Sequence, residues 1–334
     1  MSLPEALREL TRVLIGEPEF TPVDVAERAG TDIEMARRMW RALGLPPVPD
    51  DHRAFTQTDI EILQSVRLML DQKVVAPEAQ LQMTRVIGQA LARVAEAQVA
   101  VAADITGVTP DMIGKLDTIP TLVPELVRLL ETYLGYTWRR HLLAAIWRQA
   151  ASTGELTAGA KPVAVGFADM VGFTAMAQHL DANELEAVVE RFEAIVYDHV
   201  PEHGGRVVKM IGDEVMFAAD DFSAAADIAL GLIGADGQAR DQRGKAQSGL
   251  PTVPPLRVGI AWGPALIWEG DLFGPTVNLA SRLVNVARPG TVLVSEEAAE
   301  LLEAREDVEL RRIPTQSLKG IGRVHAFALR RSSD

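Results

Sequence analysis

The segment Val207-Val208-Lys209-Met210-Ile211-Gly212-Asp213-Glu214-Val215-Met216-Phe217 constrains this chain more than any other. An apolar run broken by one lysine meets a second, β-prone run across Gly212-Asp213. This pattern predicts two strands joined by a tight turn. A single Gly-Asp turn says little. A second carboxylate, Asp169, closes an earlier apolar run, Val163-Ala164-Val165-Gly166-Phe167-Ala168. Two carboxylates at neighbouring strand ends, beside glycine-containing turns, suit the holding of divalent cations against a polyphosphate.

Around these strands the texture changes near residue 155. Before it, residues 1–150 read as helical. Thr21 and Thr31 are expected N-caps, with Asp24 and Glu34 three residues on. Thr56 precedes a third helix carrying Ile60, Leu63, Val66, Leu68 and Leu70. Long helices are expected over 77–101 and 121–151, with turns at 46–50 and 118–120. Residues 151–160 are small and polar, the pattern of a linker. Residues 161–331 alternate strands and helices. Helices are expected over 183–202, from Ser223 and over 275–287, with further strands at 256–261 and 291–294. A closing hairpin is placed around Lys319-Gly320, and residues 234–255 read as a surface loop. This order suits helices packed on one mixed or antiparallel sheet, an α+β class.

Composition excludes several classes. The chain has 334 residues, room for two domains with real cores, and its 48% hydrophobic content belongs to a globular protein. A formal charge of -13 argues against broad attraction to nucleic acid or anionic membranes. With no cysteine, disulfides, thiolate metal sites and cysteine nucleophiles are ruled out. No basic and apolar leader opens the sequence, and no run approaches the roughly 18 apolar residues of a membrane span. A cytoplasmic protein is expected.

Three ordered segments carry a family resemblance. Phe167-Ala168-Asp169-Met170-Val171-Gly172-Phe173-Thr174, Lys209-Met210-Ile211-Gly212-Asp213, and Phe273-Gly274-Pro275-Thr276-Val277-Asn278-Leu279-Ala280-Ser281-Arg282 resemble the core motifs of the class III nucleotidyl cyclase catalytic domain. The resemblance covers about Lys161 to Arg331. It implies a ferredoxin-like α/β sandwich, working as a head-to-tail homodimer that turns ATP into cyclic AMP and pyrophosphate. It makes Asp169 and Asp213 the ligands of two Mg2+ or Mn2+ ions, with the Met170 carbonyl completing one coordination sphere. The amides of Gly172, Phe173 and Thr174 would receive phosphate oxygens. Lys209 and Asp271 would select adenine, Asn278 would orient the ribose, and Arg282 would meet charge developing at the α-phosphate. Lys319 would contact the terminal phosphates. Asp169 and Asp213 would come from one protomer, and Lys209, Asp271, Asn278 and Arg282 from the other.

The first 150 residues more weakly resemble the helical regulatory domain of soluble actinobacterial cyclases, some of them pH-responsive. His52 and His141 are the domain's histidines and the first candidates for pH sensing. Arg37, Arg38 and Arg41 leave a helix-turn-helix reading open. Leu126, Val127, Leu129, Leu130, Leu134, Leu142, Leu143 and Ile146 make the last helix broadly apolar, as in a core or a dimer seam. Beside a regulated adenylyl cyclase stand two alternatives: a catalytically silent cyclase-like interaction module, and a DNA-binding regulator with a nucleotide-sensing half.

Overall fold

A computed structural model describes residues 3–106, 119–151, 161–235 and 252–332. The chain divides into two units, Met1–Thr157 and Ala158–Asp334.

The second unit is built on β1 (Lys161–Met170), a strand buried on both sides. Alternate residues leave a strand in opposite directions, so each face of β1 joins a different core. Ala164 and Ala168 pack with Val188, Phe192 and Val196 of α8 (Ala182–Glu202) and with Ile228 and Leu232 of α9 (Phe222–Ala235). Val163, Val165 and Phe167 pack with Ala280 and Val284 of α10 (Pro275–Val286). Double burial explains why the sequence here is an apolar run without polar alternation. A short helix, α7 (Phe173–Ala177), follows β1.

β2 (Arg206–Ile211) and β3 (Glu214–Ala219) form the expected hairpin, and β4 (Leu256–Trp268) continues well past the expected end at Ala261. The order β2-β3-β1-β4, with every neighbouring pair antiparallel, is the ferredoxin-like arrangement of two interleaved βαβ units. Beyond β4 the sheet adds β6 (Val292–Ser295), parallel to β4, and then β10 (Ala326–Arg331) and β7 (Val308–Arg312). Between β4 and β6, β5 (Asp271–Phe273) pairs with the outer part of β4. After β6 come α11 (Glu296–Glu300) and a small hairpin of β8 (Gln316–Leu318) and β9 (Gly322–Val324). Helix α10 lies so close to β4 at Gly259 that a Cβ there would sit 2.2 Å from the Val284 nitrogen. Any side chain at 259 would push α10 off the sheet.

The first unit comprises α1 (Leu3–Ile15), α2 (Pro22–Ala29), α3 (Ile33–Ala42), α4 (Gln57–Asp71), α5 (Pro77–Thr106) and α6 (Ile119–Ala151). Val25, Ala36, Met39, Trp40, Phe55, Ile60 and Leu63 form its core. Thr21 caps α2 in a reciprocal capping box with Asp24, and Asp59 accepts the Thr56 N–H at 2.7 Å at the head of α4. Thr31 does not cap α3. Its N–H bonds Ala26 O as part of the left-handed turn at Gly30 that ends α2, so the cap position passes to Asp32. Ile119 and Pro120, expected in a turn, begin α6, where proline fits a first helical turn. Gly234, expected in the surface loop, ends within α9. Most of that loop (236–251), the linker from Ser152 to Ala160, and Thr118 lie outside the described residues. No helix among the described residues is long and apolar enough to cross a membrane.

Candidate active site

Asp169 is the penultimate residue of β1, and Asp213 follows Gly212 in the two-residue turn of the β2–β3 hairpin. Gly212 has φ 64, the conformation a tight hairpin turn demands at its first central residue. The Met170 N–H then donates to Asp213 O at 3.1 Å, which fastens the end of β1 to that turn. Asp169 thus lies at a strand end and Asp213 in the hairpin turn, and one backbone bond links the end of β1 to that turn.

Strand register adds two groups that sequence reasoning missed. Asp169 lies opposite Glu214 on β3 and opposite Arg257 on β4, giving a row Arg257–Asp169–Glu214 across one end of the sheet. The Arg257 Nε donates to Asp169 Oδ2 at 2.6 Å, and its Nη1 donates to Asn285 O of α10 at 3.3 Å. Burial pushes Asp169 above the ordinary carboxylate value; the bond from Arg257 opposes that rise and the charge of Asp213 adds to it. Glu214 is pushed up to about 7, first by burial and then by the charges of Asp169 and Asp213. Three carboxylates against one guanidinium make this a site of surplus negative charge.

Lys209, opposite Met216, projects from the same sheet face as Asp169 and donates to the Asp271 carboxylate. Asp271 is the first residue of β5 rather than part of the turn itself. Glu269 (φ 53) and Gly270 (φ 80) make that turn, and Asp271 Oδ1 is steadied by the Leu272 N–H at 2.8 Å. Asn278 and Arg282, one helical turn apart, stand exposed on α10. Among the described residues neither has a side-chain hydrogen bond or ion pair. Gly172 (φ 78) precedes α7, leaving the Phe173 and Thr174 amides in an open first turn. Lys319 is exposed at the tip of the β8–β9 hairpin, anchored by buried Leu318, and is not in contact with the carboxylates.

In the helical unit, His52 and His141 are both exposed. Arg37 is bound to Glu34 and Asp50, which neutralises one of the three arginines on the helix-turn-helix face.

Oxygen donors suit magnesium or manganese. Among the described residues no three acidic or histidine side chains converge to cage an ion, so further ligands would have to come from phosphate and water. That is the usual arrangement for magnesium held against a nucleotide.

Residues 157–331 match the model of the adenylate and guanylate cyclase catalytic domain, and residues 2–133 that of the adenylate cyclase regulatory domain. An adenylate cyclase of Streptomyces coelicolor is 38% identical over 310 residues, covering 91% of this chain and 77% of that protein. One from Glutamicibacter nicotianae is 32% identical over 353 residues, covering 98% and 83%. A pH-sensitive adenylate cyclase of Mycobacterium tuberculosis is 30% identical over 309 residues, covering 87% and 72%. With both modules matched, in this order, the chain belongs to the adenylate and guanylate cyclase family and carries an adenylate cyclase regulatory domain ahead of the catalytic one.

Proposed function

We propose that this chain converts ATP into 3′,5′-cyclic AMP and pyrophosphate at sites completed by a second copy of itself. One observation carries the reading. The acidic pair Asp169–Asp213 is built within the chain, yet the guanidinium bonded to Asp169 is Arg257, while Arg282 stands exposed on α10. Exposed Ile211, Leu266, Ile267, Trp268 and Phe273 on the hairpins around Lys209 and Asp271 add an apolar surface of the kind a partner covers.

Asp169, Asp213 and the Met170 carbonyl would hold two ions. Bound there, magnesium or manganese would neutralise the triphosphate and make the ribose 3′-hydroxyl more acidic. The chain's own groups do the rest. Adenine offers an acceptor at N1 and a donor at its amine, so Lys209 and Asp271 exchange their mutual bond for the base edge. Asn278 aligns the ribose, and the amides of Phe173 and Thr174 with Lys319 receive phosphate oxygens. The 3′-oxygen attacks the α-phosphorus in line, the bond to the β,γ-bridged leaving group breaks, and the hydroxyl proton passes to solvent. Arg282, whose planar fork spans two oxygens, meets the charge gathering on the α-phosphate. Positioning and electrostatics supply the catalysis, with no obligatory general base among the residues.

Mixing tests the reading. Asp169→Ala and Arg282→Ala homodimers should each be inactive, and their mixture should regain activity, because one heterodimer site carries neither lesion. Failure to complement despite demonstrated subunit exchange would remove the shared site. GTP turnover matching that of ATP would remove the adenine assignment.

A further inference from the structure

The cyclization mechanism gives Glu214 no task, yet its placement is costly. It opens β3, opposite Asp169 on β1 and Ile211 on β2. Residues directly opposite in an antiparallel pair share a sheet face with Cβ atoms about 5 Å apart, and like charges so placed repel. Glu214 is half-buried, and its side chain has no hydrogen bond or ion pair among the described residues. Arg257 does not supply one, since its guanidinium is held by the Asp169 carboxylate at 2.6 Å and by Asn285 O at 3.3 Å. A carboxylate partly withdrawn from water, set against Asp169 and Asp213 and given no partner, destabilises the metal-free fold. Unpaired charge of this kind concentrates at functional sites.

We propose that Glu214 is a positioning residue for the divalent cation of this site, accepting hydrogen bonds from the water molecules that the ion keeps when Asp169 and Asp213 bind it. This rests on the reading that Asp169 and Asp213 hold the ions. Placement separates the role from direct ligation. Among the described residues no three acidic side chains converge to cage an ion, so Glu214 is not set to share one with both aspartates. A water molecule fills such a gap, because it binds the cation through oxygen and donates to the carboxylate. An ionised carboxylate only accepts, and water polarised by a dication is a strong donor, so the bond is charge-assisted. Groups that act at this remove orient the ligands and tune metal affinity. The crowding of Asp169, Asp213 and Glu214 then has a use, since their repulsion turns into shared attraction once positive charge arrives.

The role bears on which cation the site prefers. Magnesium gives up its waters reluctantly and usually keeps several, so it leans on acceptors beyond its own ligands. Manganese suits the same oxygen donors but exchanges water for protein oxygens more readily. The carboxylate at 214 therefore favours magnesium. Glutamine keeps the shape of the side chain and removes the charge that holds the bound water.

The full chain, Glu214→Gln and Asp213→Ala should be compared at pH 8 for Mn2+ binding without nucleotide, by electron paramagnetic resonance, with Mg2+ measured by competition. Glu214→Gln should weaken Mn2+ by about tenfold and Mg2+ by more, up to about a hundredfold. In metal-free buffer it should melt no lower than the parent, whereas loss of a merely structural glutamate would lower the melting temperature and leave metal affinity alone. In cyclization, the Mg2+ concentration for half-activation should rise in step with the lost affinity, and added Mg2+ should recover most of the rate. Glu214→Asp, with the charge kept and the reach shortened, should fall between the parent and Glu214→Gln. Unchanged affinity for both ions in Glu214→Gln, an equal loss for both, or a lost rate that Mg2+ does not recover would each overturn the role. A dimer weakened at unchanged metal affinity would overturn it too, by giving the carboxylate to a cation of the second copy. If Asp213→Ala lost the ions and Glu214→Gln did not, the role of Glu214 alone would fall. If Asp213→Ala kept them as well, the two-metal reading beneath it would fall with it.

Discussion

β1 and α6 are both strongly apolar, yet they finish their burial differently. β1 is covered on both faces within one chain, by α8 and α9 on one side and α10 on the other. Helix α6 packs only in part and leaves large side chains such as Leu129, Tyr133, Trp138 and Trp147 more than half exposed. The same contrast recurs inside the catalytic unit, where a backbone bond fastens the end of β1 to the turn of Asp213 while the side chains of Asn278 and Arg282 are exposed and have no bonded partner among the described residues. Saturated surfaces hold the scaffold, and unsaturated ones mark where a second molecule is expected.

The largest effect should come from the fastened pair. Asp169→Ala or Asp213→Ala should cut cyclic AMP formation by about a thousandfold or more, since the charge of the bound triphosphate then lacks its counter-ions. The fold should persist, as neither carboxylate belongs to a hydrophobic core. Asp169→Ala does leave Arg257 without its carboxylate, so circular dichroism and cyclization should be measured on the same samples. Folded protein with retained activity would break the assignment.

On the unsaturated side, Arg282→Ala should cost about a hundredfold to a thousandfold in kcat, the scale for removing one group aimed at transition-state charge. Because Arg282 is exposed on α10, the melting temperature of the variant should match that of the parent. Loss in KM alone, with kcat intact, would reassign it to ground-state binding.

Those two predictions use residues that the sequence itself exposes, and the reason is locality. Asp169 and Asp213 each sit where an apolar run meets a glycine turn, a signal contained within a dozen residues. The Thr21 capping box is equally local. Arg257 and Glu214 become visible only through strand register, and Arg257 reaches Asp169 from 88 residues away. Thr31 fails as a cap for a related reason: it belongs to the turn that ends the preceding helix, and α3 starts one residue too late for its side chain, with Asp32 at the cap position. Sequence reasoning recognised the breadth of the apolar surface on α6. Which of its side chains pack and which stay exposed needed burial.

A smaller effect is expected from the base-selecting pair. Lys209→Glu with Asp271→Cys should lower kcat/KM for ATP by about ten- to a hundredfold, since adenine then meets mismatched donors and acceptors. Steady-state kinetics on ATP and GTP check it, and full retention of the ATP preference would detach the pair from the base. Lys209 and Asp271 already bond each other, so each single variant should lose nearly as much as the double one.

The smallest effect sharpens the comparison of the two units with respect to pH. His52 and His141 are exposed, whereas Glu214 is half-buried beside two carboxylates with its pKa pushed up to about 7 from an ordinary 4.5. The sign follows from proton counting. Below about pH 4.5 Glu214 is protonated in both folded and unfolded chains and contributes no pH dependence. Between there and about 7 the unfolded chain gives up its proton while the folded one retains it, so stability falls as pH rises. Above that window the penalty is constant. Metal-free protein should therefore melt at progressively lower temperature from pH 5 to 7, and Glu214→Gln should flatten the slope. His52→Gln with His141→Gln should leave it in place. Manganese should also reduce the slope, because added positive charge favours the ionised carboxylates. If the histidine variant flattened the melting profile and Glu214→Gln did not, the pH response of the fold would belong to the helical unit.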